Sequence, residues 1–252
     1  MNRSYVLAVL LASLMQAPPL RAAPSDYVFL PSVSYGEREL DFKAGSARNP
    51  DEPRQSAGSL GFGYGVTQRW FTEIYGKYDR LQGEGLRFDA FEWENKFQVT
   101  EAGEYPVDIG FIVELERPQD RSEGYEMRVG PLLQTEFARL QLNLNLLAER
   151  HFQAASRPDT EFGYQWQAKY RWQPRLEYGL QGFGEVAKWN RWGSADTQTH
   201  RLGPAVFGKF AMGDRQAIRY NAAWLFGVSA GGPWAYFPDT GRVRVLSGFR
   251  RD

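Results

Sequence analysis

Between Thr160 and Trp172 the sequence TEFGYQWQAKYRW alternates without a slip. Phe162, Tyr164, Trp166, Ala168, Tyr170 and Trp172 fall on one side; Glu161, Gly163, Gln165, Gln167, Lys169 and Arg171 fall on the other. Successive side chains of a β-strand point to opposite faces, so this stretch predicts a strand with one aromatic face and one charged face. Two folds accept such a strand. A soluble sandwich buries the aromatic face and wets the charged one, whereas a membrane barrel does the reverse.

The same period recurs along the chain, and twelve strand-like segments follow the N-terminal region. They are expected at about Tyr27 to Ala44 (irregular around Gly36), Ser56 to Gly65, Trp70 to Asp79, Leu86 to Val99, Tyr105 to Leu115 and Tyr125 to Phe137. The remainder are a segment opening at Leu140, the stretch described above, Leu176 to Val186, Thr199 to Phe210, Ala217 to Val228 and Thr240 to Phe249. The aromatic content is 15%, yet the mean hydropathy is −0.52. Alternating strands reconcile the two, because half of each strand is apolar and half is not.

The connections are asymmetric. Those after the even-numbered segments are short, as at Val66–Arg69, Ala138–Arg139 and Gln173–Arg175. Those after the odd-numbered segments are mostly longer, polar and rich in Gly, Pro and Asp, as at Ser46–Gln55, His151–Asp159 and Ala187–Gln198. Short turns at one end and long loops at the other characterise outer-membrane barrels. About ten residues is also the length a tilted strand needs to cross a bilayer. The expected fold class is therefore all-β, a transmembrane antiparallel up-and-down barrel of about twelve strands, with aromatics outward and both termini at the short-turn end.

The N-terminus reads as a secretory signal: Arg3, an apolar run from Tyr5 to Leu14, and a small-residue exit at Leu20-Arg21-Ala22-Ala23, with cleavage expected after Ala22. Residues 1–22 are then the signal and 23–252 a single barrel domain. The apolar run is too short for a spanning helix. The absence of cysteine excludes disulfides and thiolate metal sites. Thirty basic and thirty acidic residues balance, so nothing marks a nucleic-acid partner.

With the signal, the alternating strands, the Tyr64–Trp70 turn and a final strand carrying Val243, Val245 and Phe249, the chain resembles Gram-negative outer-membrane β-barrel proteins of the porin or transporter type. Ser247 stands where that family's last strand usually has an aromatic, and Arg250, Arg251 and Asp252 follow. The resemblance implies residence in the bacterial outer membrane, contact with lipid and lipopolysaccharide, insertion by the barrel-assembly machinery, and passage of small polar solutes.

On this reading the lumen carries the chemistry. Inward positions of segments 4 to 6 form an acidic wall: Glu92, Glu94, Asp108, Glu114, Glu116, Glu126 and Glu136. Basic residues collect on the other side: Lys169, Arg171, Arg201, Lys209, Arg219, Arg242 and Arg244. Opposed walls of this kind set up a transverse field that favours polar solutes. Trp93, Tyr105, Trp166, Tyr170, Trp172 and Trp224 are expected at the lipid interface. A plugged structural barrel is the alternative, since twelve strands lie between a filled barrel and an open pore.

A lipid-modifying hydrolase at the outer rim is a further alternative, with His200 as base and Ser194 as nucleophile, but no Gly-x-Ser-x-Gly elbow accompanies them. Two histidines on separate strands make no metal site, and no catalytic residue, metal or cofactor is assigned.

Overall fold

The computed structural model describes residues 27–47, 53–155, 159–193, 198–213 and 216–227, together with the backbone of 235–247. Twelve antiparallel strands form a closed barrel. They are β1 (Arg38–Ala47), β2 (Gln55–Gly65), β3 (Trp70–Leu81), β4 (Arg87–Gln98), β5 (Asp108–Pro118), β6 (Tyr125–Phe137), β7 (Leu140–Phe152), β8 (Glu161–Gln173), β9 (Leu176–Val186), β10 (Gln198–Ala211), β11 (Gln216–Gly227) and β12 (Ala235–Ser247). Each strand pairs with its neighbours in sequence. The ring closes between β1 and β12, with Arg38 opposite Ser247 and Gly45 opposite Thr240. Closure removes every free sheet edge, which a bilayer demands because unpaired backbone has no water to bond to.

The two faces are inverted relative to a soluble protein. Outward residues such as Phe62 and Ile74 are each 60% exposed, while the inward Asp41 and Glu73 are fully buried. Leu40, Phe42, Leu60, Phe91 and Trp93 continue the exposed apolar surface. A soluble fold would lose the stabilisation of burying these side chains, about 1.5–3 kcal/mol each, and would pay to bury the carboxylates. A barrel surrounded by hydrocarbon does neither.

Most strand boundaries fall within two or three residues of the sequence expectation, and β9 matches it residue for residue. Three differences matter. The expected first strand from Tyr27 is not one: β1 starts at Arg38, after a turn at Tyr35-Gly36 in which Gly36 takes φ +72°. Only a residue without a Cβ adopts this conformation readily. Second, β5 begins at Asp108, so Tyr105 sits in a longer connection that starts after Gln98. Third, β12 begins at Ala235, five residues before the expected Thr240.

Nor do all aromatics face outward. Phe71 and Tyr75 of β3 point into the barrel and are buried. Their rings lie over Gly63 and Gly61 of β2, where any Cβ would collide with them. The glycine-rich β2 is therefore the counter-surface for two inward rings.

Candidate functional site

Directly opposite residues of an antiparallel pair share a face, so the register can be read across the barrel wall as rows. One row runs Glu39, Gly63, Glu73, Glu94, Glu114, Arg128, Glu149, Glu161 from β1 to β8. The next runs Asp41, Gly61, Tyr75, Glu92, Glu116, Glu126, His151. The acidic residues Glu92, Glu94, Glu114, Glu116 and Glu126 thus form one continuous inward belt.

Two cations sit inside that belt. The Arg128 guanidinium donates to Glu149 at 2.9 Å, Glu114 at 3.3 Å and Glu126 at 3.3 Å. The Lys77 ammonium donates to Glu92 at 3.1 Å and also to Glu116. Glu92, Glu94 and Glu114 each bring an oxygen within 4.8 Å of the others, and these two cations together with the Tyr27 hydroxyl donate into those same carboxylates. Lys77 and Arg128 share strand parity with the acids, so the sequence offered the signal that they belong to the belt.

Replacing Arg128 with Gln leaves three carboxylates without their shared partner. Loss of one member of a buried ion pair costs about 3–5 kcal/mol. The urea midpoint of the folded barrel in lipid vesicles is expected to fall accordingly, and an unchanged midpoint would show that the belt is solvated.

The remaining acidic candidates lie near the short-turn end. Asp108 accepts from the Gly103 backbone N–H at 2.7 Å and so fixes the turn before β5. Glu136 accepts from Arg171 of β8 at 2.7 Å. On the basic side, Lys169 pairs with Glu177 at 3.2 Å. Arg201 is buried over the Phe183 ring with Glu185 at 3.8 Å. Lys209 and Arg219 stand opposite each other on β10 and β11. Arg242 and Arg244 are in register with Lys43 and Asp41 of β1, and their side chains lie outside the described residues. Between the acidic and basic sides β6 to β9 carry a neutral ladder of amides. Gln141 and Asn143 donate to Gln134 at 3.1 Å and 3.0 Å, Gln167 donates to Asn143 at 3.3 Å, and Gln181 donates to Gln167 at 2.9 Å.

The main feature that sequence reasoning missed is what occupies the centre. Residues 27–34, read as part of a first strand, lie inside the barrel. Tyr27 and Phe29 pack on Ile112, Leu132 and Leu147 of β5 to β7. Val28, pointing the other way, packs on Phe183, Ala205, Phe207, Ala223 and Leu225 of β9 to β11. The segment therefore touches both walls. Polar contacts fix it: the Tyr27 hydroxyl donates to Glu94, Asn145 donates to the Phe29 carbonyl at 3.2 Å, and the Val33 N–H donates to Gln98 at 2.7 Å. Pro31 rests directly against Gly110, and Ser34 against Gly65.

On the short-turn side of this segment a cavity of about 610 Å³ remains, floored by residues of the 27–34 segment and walled by β1, β3, β4 and β6 to β11. On the other side a much smaller pocket, of about 30 Å³, lies beside Arg128, Glu149 and Phe183.

Of the aromatics expected in lipid, Trp93, Tyr105, Tyr170, Trp172 and Trp224 are all exposed, while the Trp166 indole lies partly covered over Gly182. At the outer rim, His200 Nδ1 is 2.8 Å from the Tyr164 hydroxyl and Nε2 is 2.9 Å from Gln198 Oε1. Both ring nitrogens are thus engaged by groups other than a nucleophile. Ser194 lies outside the described residues, as do residues 1–26 and Phe249.

A closed twelve-stranded barrel with an apolar exterior and a charged interior is an outer-membrane-type β-barrel. The comparison with solved structures agrees. The chain is similar to an outer membrane channel from Pseudomonas putida F1, at 13% identity over 91% of this chain and 100% of that one, with a TM-score of 0.57. It is also similar to the NanC porin, at 12% identity over 84% of this chain and 100% of that one, with a TM-score of 0.52. At such identities the likeness is one of fold. No family model and no curated protein sequence matches the chain.

Proposed function

We propose that this protein is an outer-membrane channel for small polar or charged solutes, held closed by its own residues 27–34. The carrying observation is the polar lumen itself. Both of its walls and the amide ladder between them are lined with hydrogen-bonding groups, and a cavity of about 610 Å³ opens toward the short-turn end. A barrel serving only as structure has no need of such a cavity. The channel folds of the two solved relatives support the same reading.

The segment is held with a near balance of terms, which suits a gate. Burying Tyr27, Val28 and Phe29 contributes about 1.5–3 kcal/mol each, and the three hydrogen bonds add about 1 kcal/mol each. Ordering eight backbone residues costs about 1–2 kcal/mol per residue. Since the two sides are comparable, modest forces displace the segment.

The test is a planar-bilayer recording on the folded protein, with the segment in place and with it removed. Discrete current steps that lengthen or enlarge on removal support the channel. Silence from both folded samples leaves the structural barrel as the better reading.

A further inference from the structure

The short-turn cavity carries charges that the barrel does not neutralise. Lys209 and Arg219 are directly opposite each other on the inward face of β10 and β11, and both line the cavity. Like charges so placed repel and destabilise the pair of strands. The register continues to a third basic position, since the backbone of Arg244 in β12 is opposite that of Arg219. Lys96 of β4 lines the same cavity; it is buried, and its ammonium sits 5.0 Å from the centre of the Phe71 ring. Among the described residues Lys96, Lys209 and Arg219 make no ion pair.

The acids lining the cavity do not offset them. Glu177 is taken by Lys169, Glu94 accepts from Tyr27, and Glu39 also has a partner. Glu37 alone among the lining acids is left at the rim. Asn221, next to Arg219 in space and two residues on in sequence, adds an amide without a described partner.

We propose that this cavity binds a small organic anion, a carboxylate bearing further hydrogen-bonding groups, with its charge at the Lys209–Arg219 pair and Lys96 facing it. Such a ligand converts an in-register repulsion into two charge-assisted contacts and leaves Asn221 to bond its neutral polar atoms. The inference rests on the channel reading for its biological meaning and on the cavity alone for its chemistry.

The experiment is isothermal titration of the full-length protein in detergent with citrate, glucose and spermidine as probes. Citrate is expected to bind saturably, and glucose and spermidine at least about tenfold more weakly. The double variant Lys209→Gln, Arg219→Gln is expected to weaken citrate by about tenfold or more, from the loss of two charge-assisted contacts. A Lys96→Gln variant gives a second, independent reading should the double variant fold poorly. Equal binding of citrate and spermidine, or citrate binding untouched by Lys96→Gln and by the double variant, overturns the proposal. The titration needs no ion flow. A protein that binds citrate yet never conducts therefore keeps the site and loses the channel, whereas one that conducts but ignores citrate does the opposite.

Discussion

Deleting residues 27–34 raises single-channel conductance at least severalfold while the barrel itself stays folded. The expectation follows from where the segment lies. Tyr27 and Phe29 reach one wall and Val28 the other, so the segment spans the lumen. Below it is a 610 Å³ cavity, and above it, beside Arg128 and Glu149, a pocket of only about 30 Å³. None of the backbone hydrogen bonds that close the sheet belong to residues 27–34, because β1 starts at Arg38 and pairs from there. The double substitution Tyr27→Ala, Phe29→Ala serves as the milder form. It removes the hydroxyl contact to Glu94 and most of the apolar anchor, so closed intervals shorten without change in the fully open current. A deletion variant whose conductance equals that of the intact chain places the obstruction elsewhere.

The second large effect is on stability. Ile74→Arg is expected to destabilise the folded barrel by about 2–4 kcal/mol, the cost of a cationic side chain on the lipid face near the bilayer midplane. Ile74 is 60% exposed, and on a soluble protein a substitution at such a site stays within about 0.5 kcal/mol. The two readings of the alternating pattern thus give different answers to one measurement, the urea midpoint in lipid vesicles. Glu104→Arg, in the turn before β5, is the matched control and is expected to leave the midpoint in place. A silent Ile74→Arg would return the exterior to water.

The architecture was largely legible in the chain. Strict alternation in β8 and in β5 shows which side chains share a face, and the short connection at Ala138-Arg139 leaves β6 and β7 no choice but to pair. What alternation cannot supply is register between strands. The placement of Lys77 between Glu92 and Glu116, or of Arg128 among Glu114, Glu126 and Glu149, depends on which residues end up opposite. The same limit hid the pairing of Phe71 and Tyr75 with Gly63 and Gly61.

The buried segment did leave a signal. Tyr27-Val28-Phe29-Leu30 is apolar at four consecutive positions, and a short continuous apolar run marks a segment covered on both sides. Each neighbouring strand shows one polar face and one apolar face; this run shows none. Pro31 and Gly36 then separate it from β1. Its composition suits a chain with a wall on either side and not a strand with one face in lipid.

Residence of the barrel in a bilayer is tested most directly by gel migration of the outer-membrane fraction. A closed barrel whose every strand is paired resists detergent until heated. The protein is expected in that fraction, with unheated and boiled samples running at different positions. A protein found in the soluble fraction, with one band whether heated or not, would contradict it.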